Sequence, residues 1–351
     1  GGVGMEIKVY DKDLNFIGVI DDFDTLSVQT SYRAANKLNM SIAKQKRNSQ
    51  LVNIDNFLVH KKCPYVITYF KGTLDTIEIQ TIDVASYIMQ NTICKYGVST
   101  GTGYDVFTGN YESAIHHYIS NNTDLITLGI NYNRGDSTTT QARFNILQEL
   151  ITELCIASGL GYKCTFENKQ FVLNVLQRKD LSTNQSENSP VIFSEKFDNI
   201  RNLEFIYNIQ QSKNVAIVAG QGEAAERAIV IVGTETGLKR REMFVDARDI
   251  EDDALLPQRG EEKLAEVKEE ISLTFDVVQE NKSFIYERDY NVGDIVTVVS
   301  DYATMHTRIL SATEDYSDKG YELKIEAGKE IPDLISLIKR DRKNTLTEVY
   351  R

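Results

Sequence analysis

Residues 213–248, KNVAIVAGQGEAAERAIVIVGTETGLKRREMFVDAR, constrain this chain more than any other stretch. Gly220, Gly222 and Ala225 follow the apolar run 215–218 with the G-x-G-x-x-A spacing of a dinucleotide-binding turn. In such a turn the pyrophosphate sits on a helix N-terminus, where free N–H groups and the positive end of the helix dipole hold it. The residues that follow argue against that helix. Ala228-Ile229-Val230-Ile231-Val232-Gly233 is rich in β-branched side chains, which lose rotamer freedom in a helix and pack well on a pleated sheet. Strand, glycine-containing turn and strand predict a hairpin in an antiparallel sheet, with no cofactor bound at the glycines.

At 351 residues the chain is too long for one ordinary core and is expected to form two or three domains. Its 51 acidic and 39 basic residues give a net charge of −12, which excludes a general nucleic-acid-binding surface. The basic runs are short, at 44–47 and 239–241. An acidic surface is compatible with a wall past which DNA slides without sticking. Cys63, Cys94, Cys155 and Cys164 form no C-x-x-C pair and read as scattered reduced thiols. Residues 1–4, Gly-Gly-Val-Gly, read as an expression scar ahead of Met5. The alternating segment after Met5 is no signal peptide, and no segment reaches the ~20 apolar residues of a membrane span, so a reducing, soluble compartment is expected.

Hydrophobic period divides the chain. From residue 6 to about 84 the period is two: 16–20, 26–30, 38–42, 63–72 and 74–84 read as strands of a meander or small barrel. Between about 105 and 190 the period is helical. Tyr111, Ala114, Ile115, Tyr118 and Ile119 share one stripe, and 143–158 forms a second helix stopped by a left-handed Gly159. A hairpin over Glu167-Asn168-Lys169 follows, then a polar loop at 180–190. Strands return at 203–207, 215–218, 229–232 and 243–245. Pro257 precedes a helix over 258–270 with Leu264, Val267 and Ile271 on one face. Strands at 294–299, 306–312 and 321–325 come next, and Pro332 opens a short basic helix through Arg342.

Catalytic constellations are poor. His116 and His117 are adjacent and point about 100° apart on a helix, so they cannot share a metal as an i, i+4 pair does, and they read as structural. Asp246, Asp249, Glu251, Asp252 and Asp253 lack the central glycine and terminal glutamate of a calcium loop and read as a solvated loop. No catalytic, cofactor or metal residues are assigned. Arg240, Arg241, Asp246 and Arg248 alternate with Met243 and Val245, which predicts a strand with one buried and one charged face. These four are the candidate interface residues; a solvated edge strand is the plainer alternative.

Six segments occur in the order seen in a family of siphophage and prophage tail proteins: 109–121, 143–161, 191–200, 213–222, Arg-Arg-Glu-Met-Phe-Val-Asp-Ala-Arg at 240–248 and Tyr-Asn-Val-Gly-Asp-Ile-Val-Thr-Val at 290–298. The chain resembles a tail-tip, or baseplate, hub protein from a phage of a Gram-positive host over about residues 5–330. The resemblance implies an α+β, mainly β fold with two tail-tube-like β-barrel domains and an α/β insertion. Its expected divisions are 5–105 with 191–215 as the first barrel, 106–190 as the insertion, 216–330 as the second barrel and 331–351 as a basic C-terminal helix. It also implies a non-enzymatic homotrimeric ring at the virion tail tip, made in the host cytoplasm. That ring would cap the tail tube, contact the distal tail ring and tip or fibre proteins, and let phage DNA pass without specific binding. Two barrels in each of three chains match a six-fold tube. The alternatives are a host-surface carbohydrate-binding β module, left open by 18 Tyr though there is no Trp, and a metal-dependent hydrolase, for which no ligand set stands.

Overall fold

The computed structural model describes residues 5–95, 103–223, 226–248, 250 and 252–328. The basic helix expected after Pro332, and Ala225, Asp249 and Glu251, lie outside them. The chain divides into two compact units, residues 1–203 with 274–327 and residues 204–273 with 328–351.

The first unit begins with seven strands: β1 (Ile7–Tyr10), β2 (Phe16–Ile20), β3 (Thr25–Ser31), β4 (Lys37–Ala43), β5 (Phe57–His60), β6 (Cys63–Gly72) and β7 (Thr76–Asp83). Period two appears directly as alternating burial: Leu38, Met40 and Ile42 are buried on β4, while Lys37, Asn39 and Ser41 face outward or half outward. The inward residues join Ile7, Val9, Ile20, Leu26, Val28 and Tyr65 in one core. The expected strand 74–84 ends at Asp83, whose carboxylate caps the amide of Ser86 at 2.9 Å and starts α1 (Val84–Gln90).

Next come β8 (Asp105–Asn110), α2 (Tyr111–Asn122), β9 (Thr127–Leu128), β10 (Ser137–Ala142), α3 (Leu147–Ser158), β11 (Gly161–Glu167) and β12 (Gln170–Leu176). Asn110 caps α2 through the amide of Ser113, and Ala114, Ile115, Tyr118 and Ile119 are buried against Leu147, Leu150, Ile151 and Leu154 of α3. The second helix starts at Leu147 rather than 143, because Phe144 adopts a left-handed φ of 58° and Ile146 is extended. Gly159 ends it at φ 75°. The β11–β12 turn carries Asn168 and Lys169, both at positive φ, as a two-residue hairpin requires.

The unit closes with β13 (Ile192–Ser194), the first residues of β14 (Ile200–Asn208), the last residues of β18 (Glu270–Val277), β19 (Ile295–Val299), β20 (Thr304–Ser317) and β21 (Gly320–Gly328). The main sheet has the order β14-β18-β21-β20-β3-β4-β7-β6-β5-β1-β2, with β13 and β19 branching from β20. The mainly β, α+β class holds. The expected closed barrels are not found among the described residues: the ladder is an open path whose ends, β14 and β2, do not pair. Alternating burial marks a half-buried sheet, and that pattern is the same whether or not the sheet closes.

The second unit contains β15 (Val215–Ala219), β16 (Ile229–Val232), β17 (Glu242–Asp246) and α4 (Leu256–Glu266). The helix expected to reach 270 stops at Glu266, and Ile271 lies in β18. Residues 271–277 alternate Ile, Leu, Phe and Val with polar residues, a period of two that wins over the helical pattern before it.

Candidate functional site

The glycine stretch of the second unit is a hairpin. Gly220 donates to the Ala228 carbonyl at 2.8 Å and Ala228 donates to Gln221 at 3.2 Å. β15 and β16 pair antiparallel, with Ala216 opposite Val232 and Val218 opposite Val230. Gly222 sits at φ 102°, where an added Cβ would lie 2.8 Å from the Glu226 carbonyl oxygen. The sheet is not wholly antiparallel: β17 runs parallel to β15 on its other side, reached by a crossover through 233–241.

Register divides the side chains of this sheet between two faces. Val232, Ala216 and Met243 align in one row, and Val230, Val218 and Val245 in the next. Both rows pack with Leu256 and Leu264 of α4. The helix approaches closely because Gly260 stands over the sheet, where a Cβ would come within 2.6 Å of Val232. On the opposite face Ile231, Ile217 and Phe244 form a row across all three strands. Ile229, Ile231 and Phe244 are 59%, 59% and 56% exposed, an apolar surface on an otherwise charged edge.

The four candidate residues flank this row. Met243 and Val245 point inward, and Glu242 and Phe244 outward. Asp246 accepts from Arg227 at 2.5 Å and from Arg248, whose Nε lies 2.9 Å from both carboxylate oxygens. The Arg248 contacts lead in holding the Asp246 carboxyl below the usual carboxylate range, against a smaller opposing effect of burial. Arg227 also lies over the Phe244 ring, 5.7 Å from its centroid, tying the charged cluster to the apolar row. Arg240 pairs with Glu242 at 2.6 Å. Arg241 donates from its side chain to the Ser212 carbonyl at 3.2 Å, and its amide donates to Asn214 Oδ1 at 2.8 Å. Sequence reasoning found β17 and missed Arg227, Ile217 and Ile231, which reach the site only through strand register.

His117 bonds Asp105 at 2.8 Å. The four cysteines are buried thiols outside any disulfide, and burial pushes the Cys63 thiol up to about 12. Among the described residues no group of three or more His, Cys, Asp or Glu could hold a metal ion, and no helix is long and apolar enough to cross a membrane.

The fold is that of phage tail proteins. The chain is similar to prophage tail protein gp18 from Listeria monocytogenes EGD-e, with a TM-score of 0.56 at 13% identity, covering 96% of this chain and 98% of that one. A 43 kDa tail protein of prophage MuSo2 from Shewanella oneidensis gives 0.59 at 10% identity over 92% and 98%. The tail protein from Neisseria meningitidis MC58 gives 0.58 at 11% over 93% and 97%. These sources span Listeria, Shewanella and Neisseria, a wider range than the Gram-positive host that the sequence resemblance implied. No curated protein matches the chain. The sequence model of one family spans residues 6–329, nearly every residue on which this fold rests, and the chain therefore belongs to the Siphovirus ReqiPepy6 Gp37-like protein family.

Proposed function

We propose that this protein is a non-enzymatic structural hub of the phage tail tip, a homotrimeric ring that continues the tail tube. The observation that carries this reading is the row Ile231-Ile217-Phe244, exposed at Ile231 and Phe244 and half-buried at Ile217, beside the arginine-bearing strand β17. An apolar row of this kind, rimmed by paired charges, fits a surface that another subunit covers. Arg240, Arg241, Asp246 and Arg248 then form the polar rim of that contact. In this reading residues 5–105 with 191–215 and residues 216–330 are the two tube-related domains, 106–190 is the insertion, and 331–351 is a C-terminal tail.

The ring holds the distal tail protein on one side and tip or fibre proteins on the other, and DNA passes when it opens. A lumen that is acidic or neutral suits passage, since a wall of arginines would hold each phosphate. The test is sedimentation velocity with negative-stain imaging of the full chain. A three-fold ring with a central channel is expected. A two-fold dimer overturns the reading, and so does a structure of the assembled particle whose three-fold lumen is lined by Lys and Arg.

A further inference from the structure

The first unit holds a partly open cavity of about 60 Å³ beneath the β5–β6 turn. By the same measure a water needs roughly 10–15 Å³, so the space holds a few waters or one small ion with water. Its wall includes His60, Lys61, Lys163, Arg178, Glu287 and Tyr162. We infer that this cavity is a binding site for a small inorganic anion, in the size range from chloride to phosphate.

The charge arrangement carries the inference. Lys61 is fully engaged: its ammonium lies 3.0 Å from both Glu287 and Glu314, one cation against two carboxylates, so it offers no free positive charge to the cavity. Asp83, the nearby buried carboxylate, is likewise engaged by the amides of Asn36 at 2.7 Å and Ser86 at 2.9 Å. Lys163 and Arg178 have no carboxylate within salt-bridge distance among the described residues, and the Arg178 Nε is buried without a hydrogen-bond partner. His60 is 4% exposed, and neither ring nitrogen has a partner meeting hydrogen-bond geometry.

Burial, reinforced by Lys61, holds His60 below its ordinary pKa, so the ring is neutral near pH 7 and adds no positive charge of its own to the wall. Lys163 and Arg178, two cations without a carboxylate partner, thus border the same space, whose one lining carboxylate, Glu287, is already paired with Lys61. Water alone would supply hydrogen bonds and leave both cations uncompensated in a partly buried site, which is costly. An anion satisfies charge and hydrogen bonds together. It would also tie the β5–β6 turn to β11, which carries Lys163, and to the segment after β12, which carries Arg178.

Crystals of the full chain grown in bromide test this directly. An anomalous peak in the cavity, within contact distance of Lys163 and Arg178, is expected. In parallel, protein exchanged into sodium gluconate, whose anion is too large for the cavity, is melted while chloride or inorganic phosphate is added at constant ionic strength. A saturable rise in Tm of about 5 °C is expected, and Arg178→Gln together with Lys163→Met should abolish it. An empty cavity in bromide, equal melting in gluconate, chloride and phosphate, or the same rise in the double variant overturns the inference. If the double variant does not fold, the bromide map of the unaltered chain decides.

Discussion

Arginine–carboxylate clusters occur in both units, under opposite conditions. In the first unit Arg134 makes a two-pronged contact with Glu112, at 2.9 Å from Nε and 2.6 Å from Nη2, and its own amide donates to the same carboxylate at 2.9 Å. The Glu112 side chain is 0% exposed. In the second unit Asp246 holds Arg227 and Arg248 with its side chain 23% exposed. Glu112 sits in the first turn of α2 and pins the loop 129–135 to it. Asp246 stands at the end of an edge strand and orders a surface. Similar contacts therefore serve folding in one place and surface shape in the other, because the dielectric around each decides what breaking it costs.

The largest effect is expected from Glu112→Ala, which strands the Arg134 guanidinium beside the Val175 carbonyl it also bonds. Breaking one partner of a buried pair costs about 3 kcal/mol. Urea unfolding should show that loss as a lower midpoint, and a change below about 1 kcal/mol would erase the contrast between the units. Next, Arg241→Ala with Arg248→Ala should lower stability by about 1 kcal/mol and weaken self-association far more, read by sedimentation over a dilution series. Lost stability with assembly unchanged would place these arginines within the chain alone.

Acid gives a smaller effect of definite sign. Burial works to raise the Glu112 pKa, and the Arg134 side chain and backbone amides outweigh it, so the net shift is downward. Asp246 is also lowered, chiefly by Arg248. A folded pKa below the unfolded value adds stability that is present above about pH 4.5 and lost as pH falls through the folded value. Melting temperature should therefore drop between about pH 5 and 3, and Glu112→Gln should flatten that slope more than Asp246→Asn. The smallest effect is that of salt. Raising NaCl to about 1 M shortens the screening length to about 3 Å, so the penalty of Asp246→Asn should shrink while that of Glu112→Ala stays constant. Equal shrinkage at both sites would mean that water reaches them alike.

Elements whose signals are local were legible in the sequence. Gly159 after α3 and the Asn168-Lys169 turn each state a backbone geometry in one or two residues. The Asp83 cap was equally local, and the apolar strand running into it hid the start of α1. Pairs β8 and β10, built from threonines such as Thr108, Thr139 and Thr140, carry no apolar alternation and could not be found by period. At the candidate site the inward side of β17, Met243 and Val245, was legible, whereas its outer side carries Phe244 beside Glu242 instead of charge alone; Arg227 looked like part of a turn and is the residue that joins Asp246 to Phe244.

What the sequence by itself determined is the order of β-rich, helical and β-rich segments, the hairpin at the glycines in place of a nucleotide turn, and the inward side of β17. Those depend on periods and caps spanning a few residues. Only the tertiary structure decided that β17 lies parallel to β15, that Ile217 joins Ile231 and Phe244 in one outward-facing row, and that the main sheet stays open. Strand partners are chosen by packing across the whole domain, and a one-residue change of register would turn every one of those side chains to the other face.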